Sequence, residues 1–198
     1  MIHDTTLEPT PGQTVGPFFA FGLNYEGMNH IVEPGSPGAV RLQGVVRDGN
    51  GDAVPDALIE LWGANPAGEV SRAEGSIARG KGDLGEAGSG EGSRSEFTGF
   101  GRCPTDDEGR FEFWTLTPGT PEDTAAFWAV VVFARGLPDR LHTRIYAPGD
   151  NDALNADPLL SRLSTQERAT LVATRTSDGH LQHDVWLQGD KETVFIVY

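Results

Sequence analysis

The chain has little cysteine, little positive charge and no long apolar run, and each shortage removes a class of function. Cys103 is the single cysteine among 198 residues, so an internal disulfide framework is impossible and a reducing compartment fits. Lysine and arginine number 15 against 29 aspartates and glutamates, a formal charge of −14. Such a surface repels phosphate backbones and anionic headgroups, so neither nucleic acid nor membrane is an expected partner. The longest apolar run, Ala125 to Ala134, is too short to span a bilayer and reads as a buried strand. The opening MIHDTTLEPTPGQ has no basic stretch followed by an apolar one, so no signal peptide is expected. These readings together predict a cytoplasmic protein.

Glycine and proline are abundant, at 26 and 13 residues, which disfavours long helices and favours turn-rich β structure. Residues 1–38 are punctuated by both and predict an extended N-terminal arm. Its Phe18, Phe19 and Phe21 are costly to leave in water, so the arm is expected to pack on a partner chain. Val40, Leu42, Gly44 and Val46 then alternate as a strand, the DGNGD segment turns, and Ala57 to Trp62 form the next strand. The Gly-rich loop 80–95, GKGDLGEAGSGEGSRS, is too polar to bury surface and is expected to be flexible. Further strands are predicted at Gly109–Leu116, Phe127–Phe133, Leu141–Tyr146, Leu181–Leu187 and Thr193–Tyr198. Asp157-Pro158 is an N-cap and first-position pair for a helix, and Ser164 with Glu167 has capping-box spacing for another. No linker divides the chain. The expectation is one mainly β domain over 1–198, an antiparallel β-sandwich or β-roll with minor helix.

Several motifs have plain readings. Asp48, Asn50 and Asp52 mimic a calcium loop, but Ala53 stands at the sixth position and Ile59 at the twelfth, so a hairpin turn is the better reading. The glycines of GSGEGS follow no strand and open no helix, which removes a phosphate cradle. His180 and His183, three apart on a strand, point to opposite faces and cannot easily converge on a metal with Asp184. His142 is read as a structural hydrogen-bonding residue. Nothing beside Cys103 suggests a base for a nucleophile.

Arg135 is different. It ends the most hydrophobic strand and is followed at once by Gly136. A guanidinium leaving a buried strand must find an anion or open water. Either a structural ion pair with one of the many carboxylates or recognition of an anionic substrate group would satisfy it. In the second case a charge-assisted hydrogen bond contributes about 1.5–3 kcal/mol.

Taken together, QTVGPFF, VVRDGNGDAVPDALIELWGANPAGE, FTGFGR, FARG, LHTRIY and LQGDKETVF resemble the intradiol ring-cleavage dioxygenases, and in particular the metal-free chain of their two-chain members. The resemblance implies that the catalytic chain holds non-haem Fe(III) through two tyrosines and two histidines. The matching positions here are Val70, Pro121, Phe127 and Ala129, none of which offers a phenolate or imidazole. The implied chain therefore owns no metal and no catalytic residue. Its partner would be an iron-bearing sister chain, assembled with it as several pairs. The arm motif, as Thr14, Gly16 and Pro17, and Arg135 are implied to line the substrate pocket. The implied reaction cleaves 3,4-dihydroxybenzoate with O2 to 3-carboxy-cis,cis-muconate in the β-ketoadipate route, with iron binding both catechol oxygens and making the ring reactive toward O2. A transthyretin-like or carboxypeptidase-regulatory β-sandwich module, with no chemistry, is the alternative; it shares the D-G-x-G and D-x-x-G-x-F-x-F patterns.

Overall fold

The computed structural model describes residues 11–16, 19–24, 26–71, 97–120 and 124–197. Pro17, Pro121 and the loop 80–95 lie outside them.

Alternating apolar residues build two facing sheets. In the first, β4 (Arg110–Leu116) pairs antiparallel with β1 (Ala39–Arg47), with Gly44 opposite Phe111 and Leu42 opposite Phe113. The second has the order β3 (Phe100–Pro104), β2 (Leu58–Gly63), β5 (Phe127–Phe133) and β6 (Leu141–Tyr146), antiparallel throughout. Period-two alternation sends Leu42, Val46, Phe111 and Phe113 from one sheet against Ile59, Leu61, Trp128, Val130, Val132 and Ile145 from the other. This is the sandwich core.

The other edge of β1 departs from the antiparallel expectation. Short strands β8 (Leu181–Gln182) and β9 (Val185–Trp186) both run parallel to β1, and β7 (Thr174–Arg175) then pairs with β8. The predicted single strand Leu181–Leu187 is broken at His183 and Asp184. There the Asp184 carboxylate accepts from the Val45 N–H at 3.1 Å, replacing a ladder partner, while the His183 N–H donates to the Gln43 carbonyl.

Three further differences have local causes. A short helix, α1 (Phe19–Gly22), interrupts the arm, its first N–H donating to the Gly16 carbonyl. Asp157 does cap, accepting from the Leu159 and Leu160 N–H groups, but it starts only a 3₁₀ turn at Leu160–Arg162. The full turn of helix lies before it, as α2 (Asn151–Ala156). Residues 193–197 form no strand; their partners include the Thr143 and Thr170 hydroxyls and the His142 carbonyl. The Ser164–Glu167 capping box opens α3 (Thr165–Ala169) as predicted, with Glu167 held below the usual carboxylate range by the Ser164 hydrogen bonds.

From Met28 onward the arm is part of the body. Met28 is buried, its carbonyl accepts from the Arg102 N–H, and the backbone of Asn29 and Val32 bonds to Trp114. Among the described residues no helix is long and apolar enough to cross a membrane.

Candidate functional site

The face of the second sheet turned away from the core carries two of the positions that the resemblance assigns to iron, Phe127 and Ala129. Trp128, Val130 and Val132 of β5 are buried, so Phe127, Ala129 and Val131 point to the opposite face. Register then fixes their neighbours: Phe127 lies beside Tyr146, Ala129 beside both Arg144 and Trp62, and Val131 beside His142 and Glu60. Trp62 is 40% exposed and Val70 68% exposed.

A cation of the protein's own stands on this face. The Arg144 guanidinium carbon lies 4.1 Å from the Phe127 ring centroid, and its Nη1 donates to the Tyr146 hydroxyl at 3.2 Å. Its Nε is buried without a hydrogen-bond acceptor, so the ring face is what compensates the charge on that side. Tyr146 is fully buried and its hydroxyl donates to Asp157 Oδ1 at 3.0 Å. Burial pushes the phenol up to about 12, an effect that Arg144 opposes and Asp157 reinforces. Tyr146 is therefore kept protonated, with its hydroxyl committed to Asp157 and Arg144. Asp157, also fully buried, is spent on Tyr146 and on the N–H groups of Ala125, Leu159 and Leu160.

These residues do not fit Fe(III). Val70, Phe127 and Ala129 have no donor atoms, and a guanidinium that cannot be deprotonated stands over Phe127. Among the described residues no group of three or more His, Cys, Asp and Glu side chains could hold a metal ion. The fourth position, Pro121, lies outside the described residues.

The predicted pocket residues are not gathered into one place. Thr14 and Gly16 are exposed, and the Thr14 hydroxyl donates only to the neighbouring Val15 carbonyl. Pro17 is outside the described residues. Arg135 sits at the far end of β5, 55% exposed, with Nη2 2.8 Å from Asp56 Oδ2. The structural ion pair, one of the two alternatives for Arg135, is formed with Asp56. His142 accepts from Arg140 Nε at 3.1 Å, a structural contact. Cys103 is buried and its thiol is pushed up to about 11, by burial first, which suits a packed, unreactive side chain. The Asp48 carboxylate accepts from the Asn50 and Asp52 N–H groups, so the DGNGD segment is an ordinary turn.

Sequence reasoning missed Arg144 and Asp56. Arg144 was visible only as a neighbour of His142. Pairing LHTRIY against AFWAVVVF in antiparallel register would have put it beside Ala129.

Known proteins share this frame. Residues 24–154 match the family model described as Dioxygenase. The chain is 35% identical over 208 residues to the protocatechuate 3,4-dioxygenase alpha chain of Burkholderia cepacia, covering 96% of this chain and 98% of that one. It is 29% identical over 187 residues to the beta chain from the same organism, covering 86% and 74%. A solved dioxygenase domain, from a carbohydrate-binding fusion protein of Streptomyces sp. SirexAA-E, shares the fold with a TM-score of 0.56 at 20% identity, covering 92% and 99%. With a family model matched over most of its length and an alpha chain matched end to end, the chain belongs to the intradiol ring-cleavage dioxygenase family.

Proposed function

We propose that this chain is the metal-free alpha subunit of a protocatechuate 3,4-dioxygenase. Its partner is the beta chain, which holds Fe(III), and the two assemble as several alpha–beta pairs. The complex cleaves 3,4-dihydroxybenzoate with O2 to 3-carboxy-cis,cis-muconate. The observation that carries the reading is the match to an alpha chain over 96% of this chain; the donor-free side chains of Phe127 and Ala129 and the Arg144 cation against Phe127 support it.

In this reading the chain contributes walls and charge. Thr14, Gly16 and Pro17 lie against the aromatic ring of a substrate bound in the partner's site; the exposure of Thr14 and Gly16 in the chain by itself is consistent with an arm that finds its contacts on another molecule. Glycine and proline suit such a wall, because they bring backbone close to a flat ring with little reorganisation. Arg135 takes the substrate carboxylate through the N–H groups that Asp56 leaves free.

Expression of the chain alone, and with a beta chain, tests this. The chain alone should carry no iron and show no turnover, while the co-expressed complex should be red-brown and active. Stoichiometric ferric iron and turnover in the isolated chain would overturn the reading.

A further inference from the structure

The position of Arg135 has a definite cause, and it lies in a residue that no ligand reading includes. The β2–β5 register sets Leu58 opposite Phe133. Two residues beyond each, the chain brings Asp56 and Arg135 level at the same end of the sheet. There Arg135 Nη2 and Asp56 Oδ2 meet at 2.8 Å.

Asp56 is mounted rigidly. Its φ of +57° is the one left-handed value at a non-glycine among the described residues, a conformation that aspartate tolerates better than most side chains. The turn that holds it is pinned from beneath by Thr105, which is buried. The Thr105 hydroxyl donates to the Val54 carbonyl at 2.8 Å and accepts from the Ala57 N–H at 2.9 Å, while its own N–H donates to the Ala57 carbonyl at 2.8 Å. The chain on both the strand side and the turn side of Asp56 is thus tied to one buried residue.

Arg135, by contrast, is held only at this contact among the described residues. Its side chain is 55% exposed against 22% for Asp56, and the next residue, Gly136, turns away at φ +89° with open space around it. Among the described residues no other group bonds to its guanidinium. A long cation is therefore tethered at one nitrogen by a carboxylate on a pinned turn, leaving the remaining donors of the fork without a partner among the described residues.

We propose that Asp56 is a positioning residue which pre-orients Arg135 to receive the carboxylate of a catechol acid, making the pair a determinant of selectivity for carboxylated over plain catechols. The proposal rests on the reading that Arg135 meets the substrate carboxylate. Fixing the fork before substrate arrives removes ordering cost from the binding step, so the effect belongs in affinity rather than in the chemical step.

The test uses the alpha–beta complex carrying Asp56→Asn, Asp56→Gly, Arg135→Ala and the Asp56→Asn/Arg135→Ala pair. Asparagine and glycine both accept the left-handed backbone, so each removes the carboxylate while sparing the turn. KM and kcat for 3,4-dihydroxybenzoate are measured, with anaerobic Kd values for 3,4-dihydroxybenzoate and for catechol. Each Asp56 variant should raise KM and Kd for the acid about two- to fivefold, the range of a partly exposed ion pair, with the change in KM rather than kcat and catechol binding unaffected. Arg135→Ala should raise them further, and adding Asp56→Asn to it should change nothing more. If Arg135→Ala weakens the acid but the Asp56 variants do not, or if they tighten it, positioning is wrong while the Arg135 reading stands. If acid and catechol weaken alike, Asp56 is structural and the inference falls. If Arg135→Ala leaves the acid unaffected, the carboxylate reading itself fails and takes the inference with it.

Discussion

His183 should make this protein acid-labile, by an amount the structure allows to be worked out. The imidazole is buried, and its Nε2 has no hydrogen-bond partner. Burial holds it down to about 4, against a raising contribution from Asp184. The unfolded chain would titrate near 6.5. Between those values the unfolded state binds a proton that the folded state refuses, so stability rises with pH there and is lost as pH falls from 6.5 toward 4. A tenfold difference in proton affinity between the two states is worth about 1.4 kcal/mol, so lowering the pH from 7.5 to 4.5 should remove between about 2 and 3 kcal/mol through this one group. For a chain of this length that corresponds to a fall in Tm of about 5–10 °C.

Carboxylates also titrate over part of that range, so the measurement must be a difference. Thermal unfolding of the wild type and of His183→Leu, followed by circular dichroism at several pH values, isolates the histidine. The variant removes the titrating group and keeps an apolar side chain in the same space. Its Tm should fall less between pH 7.5 and 4.5 by about 5–10 °C. Parallel Tm curves for the two proteins would refute the reasoning, since they would mean that His183 charges in the folded state at no penalty.

Two further outcomes follow from the packing. At Gly44 an added Cβ would lie 1.7 Å from the His183 carbonyl oxygen and 2.7 Å from Phe111 Cζ, so Gly44→Ala must part β1 from its parallel neighbour; a loss of about 3 kcal/mol or more is expected, and a denaturant midpoint unchanged from wild type would contradict it. The double substitution Phe127→His/Ala129→His should leave the chain without stoichiometric iron, because Arg144 keeps its charge beside them and Val70 offers no donor; elemental analysis of the purified variant checks this, and one iron per chain would show that the site was lost through those two positions alone.

How much of this was legible depended on whether a residue's neighbours in sequence or in space decide its state. Phe127–Phe133 and Leu141–Tyr146 were readable to the residue because an apolar or alternating run specifies a strand by itself. Ser164 and Glu167 were readable because a capping box is local chemistry. β3 was not, since Gly101, Arg102 and Pro104 spoil any alternation and the strand exists through its pairing with β2. The helix expected after Asp157 was cut to one 3₁₀ turn because Leu163 is extended and Ser164 already caps the next helix. Residues 193–197 have strand composition, yet hydroxyls of Thr143 and Thr170 take the place of part of a ladder. At the site, Arg144 over Phe127 and Asp56 against Arg135 depend on strand register, which local pattern does not encode.

The same period-two geometry lets the sandwich carry Phe127 and Ala129 at positions the resemblance assigns to iron without loss of the fold. On β5 the inward residues Trp128, Val130 and Val132 hold the sandwich together, and they alternate with Phe127, Ala129 and Val131, which do not enter that core. Substituting the second set changes one face of the sheet and leaves the other intact. Such a face would still be costly if it left many polar groups buried and unsatisfied. Here Phe127 fills space, packing with Tyr146 at 5.6 Å between centroids, and Arg144 supplies a permanent positive charge that the ring and the Tyr146 hydroxyl together satisfy in part. Adding a ferric ion to this face would set two cations against each other.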